Sequence, residues 1–235
     1  MADEALFDSK ADTYDNWYAT PLGAYADELE NTLIFRHAGN VRGKTVLDAG
    51  CGTGVYSIRL SEVGADVTAV DVSEKMLDTA HRKAEQRNQY VWFENADMQH
   101  LPYEDQTFDL VVSITSLEFA ADPLEALTEM ARVLRPGGKI IIGTINAESP
   151  WADVRRRHQG PDDDASGIAR FYTPQSMRML LRRTGTFGAV TLESCLYALP
   201  TDDMSLEAGA RRKEFLGRLF RPLTGAFLVT TARKR

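Results

Sequence analysis

Three observations predict a doubly wound α/β fold, with a mostly parallel sheet and helices on both faces. Short apolar runs alternate with helix-period segments from Thr45 to Ile145. The first run opens into a bend with three glycines in five residues, Gly50, Gly52 and Gly54. Acids stand where successive runs end, at Asp48, Asp71 and Asp97. Strands that alternate with helices pair in parallel through right-handed crossovers, and ligands bind beyond the carboxyl ends of such strands.

The elements follow in chain order. FDSKADTYDNWYATPLGAYADELENTLIFRHAG reads as helical, with Leu22, Tyr25, Leu29 and Leu33 on one apolar stripe and Tyr14, Trp17 and Tyr18 ahead of it. TVLDAG, VTAVDV, YVWFENAD, FDLVVSITS and KIIIGTI are five runs suited to buried strands. A helix pattern follows the glycine bend from Val55. Ser73 is placed to cap a second helix, with Leu77, Ala80 and Ala84 inward. Asp122-Pro123-Leu124-Glu125 combines an acidic cap, a proline at the first helical position and a glutamate at the third. RPGG should stop that helix. AESPWADVRRRHQGPDDDASGIARFY reads as a polar loop or short-helix excursion, and Thr173-Pro174 starts another helix. Residues 189–199 and 225–234 read as two last strands, joined by a long polar link over 200–224.

Composition narrows the function. The chain has 235 residues, 43% of them hydrophobic, and a net charge of −7. That charge argues against a general nucleic-acid binder, so no DNA partner is expected. The balance is uneven: residues 1–145 carry 12 Lys and Arg against 24 Asp and Glu, and residues 146–235 carry 15 against 10. The second stretch is either a set of solvated helix faces or a basic patch that meets an anionic group. No apolar run approaches the roughly 18 residues of a membrane span. The opening MADEALFDSK lacks the basic and apolar regions of a secretory signal, and Cys51 and Cys195 make no disulfide framework. A cytoplasmic location is expected. His37, His81 and His100 show no ligand spacing with the cysteines, so no metal is expected.

The bend decides the ligand class. It reads G-x-G-x-G rather than the G-x-G-x-x-G of a dinucleotide turn, with Asp48 two residues before the first glycine. An acid aimed there repels a pyrophosphate but suits a positive amino group, while the bare backbone can approach a carboxylate. Glycines of this kind also occur where a helix merely packs tightly on a sheet. Asp71, at the end of the second run, stands where nucleoside-binding sheets hold ribose hydroxyls, or is a plain cap for the next helix. Asp97 can accept from an adenine amine with Met98 packed on the ring, or is a turn residue.

The segments VLDAGCGTG, AVDVSEKML, NADMQHLPYEDQTFDLVVSITSLEF and EMARVLRPGGKIIIG resemble the class I S-adenosylmethionine-dependent methyltransferases, among them the small-molecule enzymes of the ubiquinone and biotin pathways. The likeness covers roughly residues 45–143. It implies a Rossmann-like sheet of seven strands, the last antiparallel and inserted before the sixth. It implies a single domain over 1–235, with a helical cap at 1–42, a cofactor-binding core at 43–145 and an acceptor-side part with the last two strands at 146–235. It assigns Asp48 and the bend Gly50, Cys51, Gly52 and Gly54 to the methionine part of S-adenosylmethionine, and Asp71 to the ribose. Val72 and Met76 should flank the adenine, Asp97 take its amine, Met98 contact the ring, and Ser113 contact the methionine end.

Tyr14, Trp17 and Tyr18 would fold over the cofactor as a lid, or pack in the core. Leu117, Glu118, Phe119 and Tyr172 are expected near the acceptor. Glu118 and His158 are the candidate bases, although either could be a surface residue. Arg155–Arg157 and Arg170 would suit an anionic acceptor. The expected reaction is methyl transfer to a small molecule, leaving S-adenosylhomocysteine, by a monomer or homodimer. A tRNA methyltransferase, a non-catalytic S-adenosylmethionine-binding protein and a nicotinamide oxidoreductase are the competing readings. The shifted glycine pattern and Asp48 oppose the last of these.

Overall fold

The structure is a computed structural model. It describes residues 7–8, 11–157, 169–198 and 207–235, and of 155–157 and 207–208 the backbone only. A 3₁₀ turn, Tyr14–Ala19, leads into α1, Pro21–Ala38. Then come β1 (Thr45–Ala49), α2 (Val55–Glu62), β2 (Asp66–Asp71), α3 (Glu74–Gln86), β3 (Trp92–Asn95) and β4 (Phe108–Ile114). A short 3₁₀ turn, Leu117–Phe119, precedes α4 (Pro123–Val133) and β5 (Leu134–Ile145). The remainder is α5 (Pro150–Arg157), α6 (Pro174–Arg183), β6 (Thr191–Cys195), α7 (Glu207–Phe220) and β7 (Phe227–Arg233).

The seven strands form one sheet in the order β3-β2-β1-β4-β5-β7-β6. β7 runs antiparallel to both of its neighbours, and the other pairs are parallel. This is the expected topology, with the last strand inserted before the sixth. The pleat sends alternate side chains to opposite faces. Val46, Val112 and Ile141 join the cluster under α1 and α2, whereas Leu47, Val111 and Ile142 join the one under α4 and α6.

The helix starts follow their caps. Ser73 Oγ accepts the Met76 amide at 3.2 Å, and Asp122 accepts the amides of Leu124 and Glu125 at 2.8 and 3.1 Å. Two expectations need correction. RPGG does end α4, but β5 already begins at Leu134: Phe108 pairs with Leu134 and Leu110 with Lys139, so Arg135–Gly138 bulge out between them. The supposed polar link contains α7, a helix of 14 residues.

Candidate functional site

A cavity of about 350 Å³ opens beyond the carboxyl ends of β1, β2 and β4. Its floor is the glycine bend. Gly50, Gly52 and Gly54 all have positive φ, at 77°, 53° and 75°, which glycine adopts without strain. Gly50 is also packed too closely for a side chain, because a Cβ there would stand 2.4 Å from Ser116 Cβ. The bend hands the chain to the N-terminus of α2 at Val55.

Asp71 forms one wall. Its Oδ2 accepts the Gly52 amide at 2.8 Å and its Oδ1 the Ser73 amide at 3.0 Å. A carboxylate has about four acceptor positions, so each oxygen keeps one for a ligand. Burial pushes this carboxyl above its usual range, against the pull of those amides. Asp97 is oriented by Gln99, whose amide N–H reaches Oδ1 at 2.8 Å and whose side-chain nitrogen reaches Oδ2 at 3.0 Å. Val72, Met76 and Met98 supply apolar surface between the two acids.

The N-terminal segment roofs the cavity. Tyr14, Tyr18 and Phe7 line it, and the Phe7 ring meets the Phe119 ring edge-on with centroids 4.8 Å apart. Asp15 accepts the Thr53 hydroxyl at 2.7 Å and pairs with Lys83, which itself donates to Thr53 at 3.1 Å. Burial lowers the Lys83 pKa, and the Asp15 carboxylate opposes that. Burial raises the Tyr18 hydroxyl well above its ordinary value, with Tyr14 adding to the effect.

Several residues expected at the site lie outside the cavity wall. Asp48 is buried beneath the bend and hydrogen-bonded to Ser57 Oγ; its parity along β1 matches Val46, so it points toward α2. Burial, reinforced by the charge of Asp71, pushes this carboxyl up to about 7. Gly54 shapes the bend from behind, against Ala80 and Phe93. Ser113 is buried and shares a hydrogen bond of 2.7 Å with Ser116, the residue that does reach the cavity.

Leu117 is a core residue, and the buried Tyr172 hydroxyl donates to its carbonyl at 3.2 Å. Burial pushes the Tyr172 hydroxyl up to about 12. Glu118 is buried and accepts the Ile145 amide at 2.8 Å, which ties the segment after β4 to the end of β5. Arg170 donates to the carbonyls of Ala120 and Ala121 at 2.8 and 3.0 Å, holding the loop that carries Phe119. His158 lies outside the described residues, as do the side chains of Arg155–Arg157. Cys51 lines the cavity as a thiol, since burial raises its pKa well above the ordinary value.

Sequence reasoning passed over Phe7, Thr53, Tyr56, Gln99, Thr115 and Ser116. Thr53 lies inside the glycine bend and was in plain sight. Thr115, at φ 49°, marks the sharp exit from β4 that no periodicity announces. Phe7 reaches the site through its ring contact with Phe119, a residue far along the chain.

The wall is acidic and aromatic. Among the described residues that line the cavity there is no lysine, arginine or histidine. Such a wall accepts a cationic or neutral nucleoside and gives a pyrophosphate no counter-charge. Residues 47–142 match the family model of the methyltransferase domain.

The core of this chain is similar to a methyltransferase domain.

The chain is 39% identical over 106 residues to the ubiquinone biosynthesis O-methyltransferase of Coxiella burnetii, a match that covers 45% of each chain. The chain thus aligns with less than half the length of that relative. A solved S-adenosylmethionine-dependent methyltransferase from Thermotoga maritima, described as a possible histamine N-methyltransferase, superposes with a TM-score of 0.73 over 99% of both chains at 22% identity. An S-adenosylmethionine-dependent methyltransferase from Mesorhizobium loti gives 0.60 at 27% identity, covering 86% of this chain and 96% of the other. Among the described residues no cluster of His, Cys, Asp and Glu could hold a metal ion.

Proposed function

We propose that this protein transfers the methyl group of S-adenosylmethionine to a small-molecule acceptor, leaving S-adenosylhomocysteine. The observation that carries this is the coupling of Asp71 to the glycine bend: one carboxylate braces the turn and still presents acceptor positions to the cavity. Bound there, S-adenosylmethionine supplies a methyl group already activated by its sulfonium charge.

The residues of the chain then bind, orient and exclude water. Asp71 takes the ribose hydroxyls, and Asp97, held by Gln99, takes the adenine amine between Met76 and Met98. The Gly50–Gly54 bend, nearly free of side chains, lets the methionine part of the cofactor approach the backbone closely. Asp48 acts from below as a partner of Ser57 that keeps the bend in place. The acidic wall stabilises the sulfonium-bearing cofactor, and Phe7, Phe119, Tyr14 and Tyr18 close the site to solvent. Positioning of this kind can supply several kcal/mol of the rate enhancement. Glu118, buried against β5, is not placed to be the base. An uncharged acceptor suits the described wall better than an anionic one.

No helix among the described residues is long and apolar enough to cross a membrane. The proposal has a direct test. Calorimetric titration should give micromolar affinity for S-adenosylmethionine and its demethylated product, and labelled methyl should pass to a metabolite in cell extract. Absence of both heat and a thermal shift would refute it.

A further inference from the structure

α7 meets the rest of the protein by a narrow, polar edge. Glu214 is buried, and its carboxylate accepts the amides of Leu196 and Tyr197 at 3.1 and 3.0 Å and the Arg218 Nε–H at 2.9 Å. One turn further, Gly217 lies so close to the Tyr197 ring that a Cβ there would stand 2.3 Å from it. Ala210 completes this edge against Trp151 and Ala198. The helix therefore turns the buried Glu214 carboxylate, Ala210 and Gly217 inward.

Its bulky apolar residues point the other way. At about 100° per residue, Phe215, Leu216, Leu219 and Phe220 fall in an arc of roughly 140° centred opposite Glu214. Phe215, Leu219 and Phe220 are 67%, 61% and 72% exposed. Exposed Arg212 lies inside that arc, exposed Lys213 on its border, and exposed Arg221 just past the end of the helix. Glu214 is the sole acid among the side chains described in α7, and it is buried. A soluble surface helix shows the opposite pattern, whereas Phe and Leu among Lys and Arg mark a helix that lies in a membrane interface.

Location adds to this. β6 runs parallel to β1–β5, so Leu196 and Tyr197, which hold α7, lie on the rim that carries the glycine bend. The helix is basic in a chain whose net charge is −7. A second copy of α7 laid against the first would oppose cation to cation.

We propose that α7 is an interfacial helix that docks this protein, rim first, on the surface of an anionic lipid bilayer. The occupant is chosen by the chemistry of the face: apolar side chains for the acyl boundary and cations for acidic headgroups.

Flotation of the full chain with vesicles tests it. The protein should float with vesicles of phosphatidylcholine containing about one-third phosphatidylglycerol at least tenfold better than with phosphatidylcholine alone, and about 0.5 M salt should weaken the binding. The triple variant Phe215→Ser, Leu219→Ser, Phe220→Ser should lose flotation while keeping the wild-type melting temperature. The double variant Arg212→Gln, Arg221→Gln should lower partitioning roughly tenfold, and it carries the test alone if the triple variant fails to fold. Three outcomes overturn the proposal: no flotation with anionic vesicles, equal flotation with neutral ones, or a wild-type dimer that the triple variant converts to monomer without any vesicle binding.

Discussion

Asp71 Oδ2 accepts the Gly52 amide at 2.8 Å, and this bond fastens the end of β2 to the bend that follows β1. The bend after β1 and the end of β2, 19 residues apart at this bond, are thereby held as one wall. The same carboxylate caps the start of α3 through the Ser73 amide. A ligand that bonds Asp71 meets a group whose orientation is already set, so little ordering remains to oppose binding.

Asp71→Ala should therefore weaken binding of S-adenosylhomocysteine by tenfold or more, since hydrogen bonds to a charged group contribute about 1.5–3 kcal/mol each. Asp71→Asn should fall between, because its amide keeps one acceptor. Calorimetry reads both. Wild-type affinity in the alanine variant would end the ribose assignment.

Gly50→Ala and Gly52→Ala should differ, although both positions have positive φ. At Gly50 a Cβ would meet Ser116 and Met98 at 2.4 and 2.6 Å, whereas at Gly52 nothing lies within 4 Å. Gly52→Ala should cost about 1–2 kcal/mol from the left-handed backbone alone. Gly50→Ala adds overpacking of about 1–3 kcal/mol. Urea unfolding of the two variants checks the order; equal losses would contradict it.

The Asp48 carboxyl, pushed by burial from its ordinary 3.8 to about 7 in the fold, binds its proton more tightly folded than unfolded. Between these values the unfolded state is the less protonated, so this group lowers stability as pH rises from about 4 to 7 and has no further effect above. The full difference amounts to roughly 4 kcal/mol. Asp48→Asn should flatten that part of the stability profile. Thermal melts from pH 5 to 8 measure it, and a profile unchanged from wild type would disprove the assignment.

Lys83→Ala should loosen the roof. Lys83 and Thr53 together hold Asp15, at the base of the 3₁₀ turn that brings Tyr14 and Tyr18 over the cavity. Release should speed dissociation of S-adenosylhomocysteine by roughly threefold to tenfold, in keeping with a half-buried ion pair. Amide exchange over residues 14–19 should rise in parallel. Protection equal to wild type would show that the pair does not hold the roof.

Periodicity made β1 to β5, α2 to α4 and the glycine bend readable, because each is a local pattern of apolar spacing and capping. Asp71, Asp97, Met76 and Met98 could be pointed to by position along the chain, and they do line the cavity. Asp48 shows the limit. It stands one residue from the end of β1, but only the pleat and the helix covering that face send it to Ser57. Glu118 stands one residue before Phe119, yet it turns to the Ile145 amide while Phe119 turns to the cavity. α7 reads as a polar link in the sequence because its bulky apolar residues serve no core, so the usual inward stripe is missing.

The sequence alone determined the alternation of strands and helices, the side-chain-poor bend and the acids beside it, since all of these follow from backbone preference and burial within about a dozen neighbouring residues. The tertiary structure alone decided which acids face the cavity, what roofs it and which helix turns its apolar side outward. Those features depend on partners far apart in the chain: Asp15 meets Lys83 across 68 residues, and Phe7 meets Phe119 although strands β1 to β4 separate them in sequence.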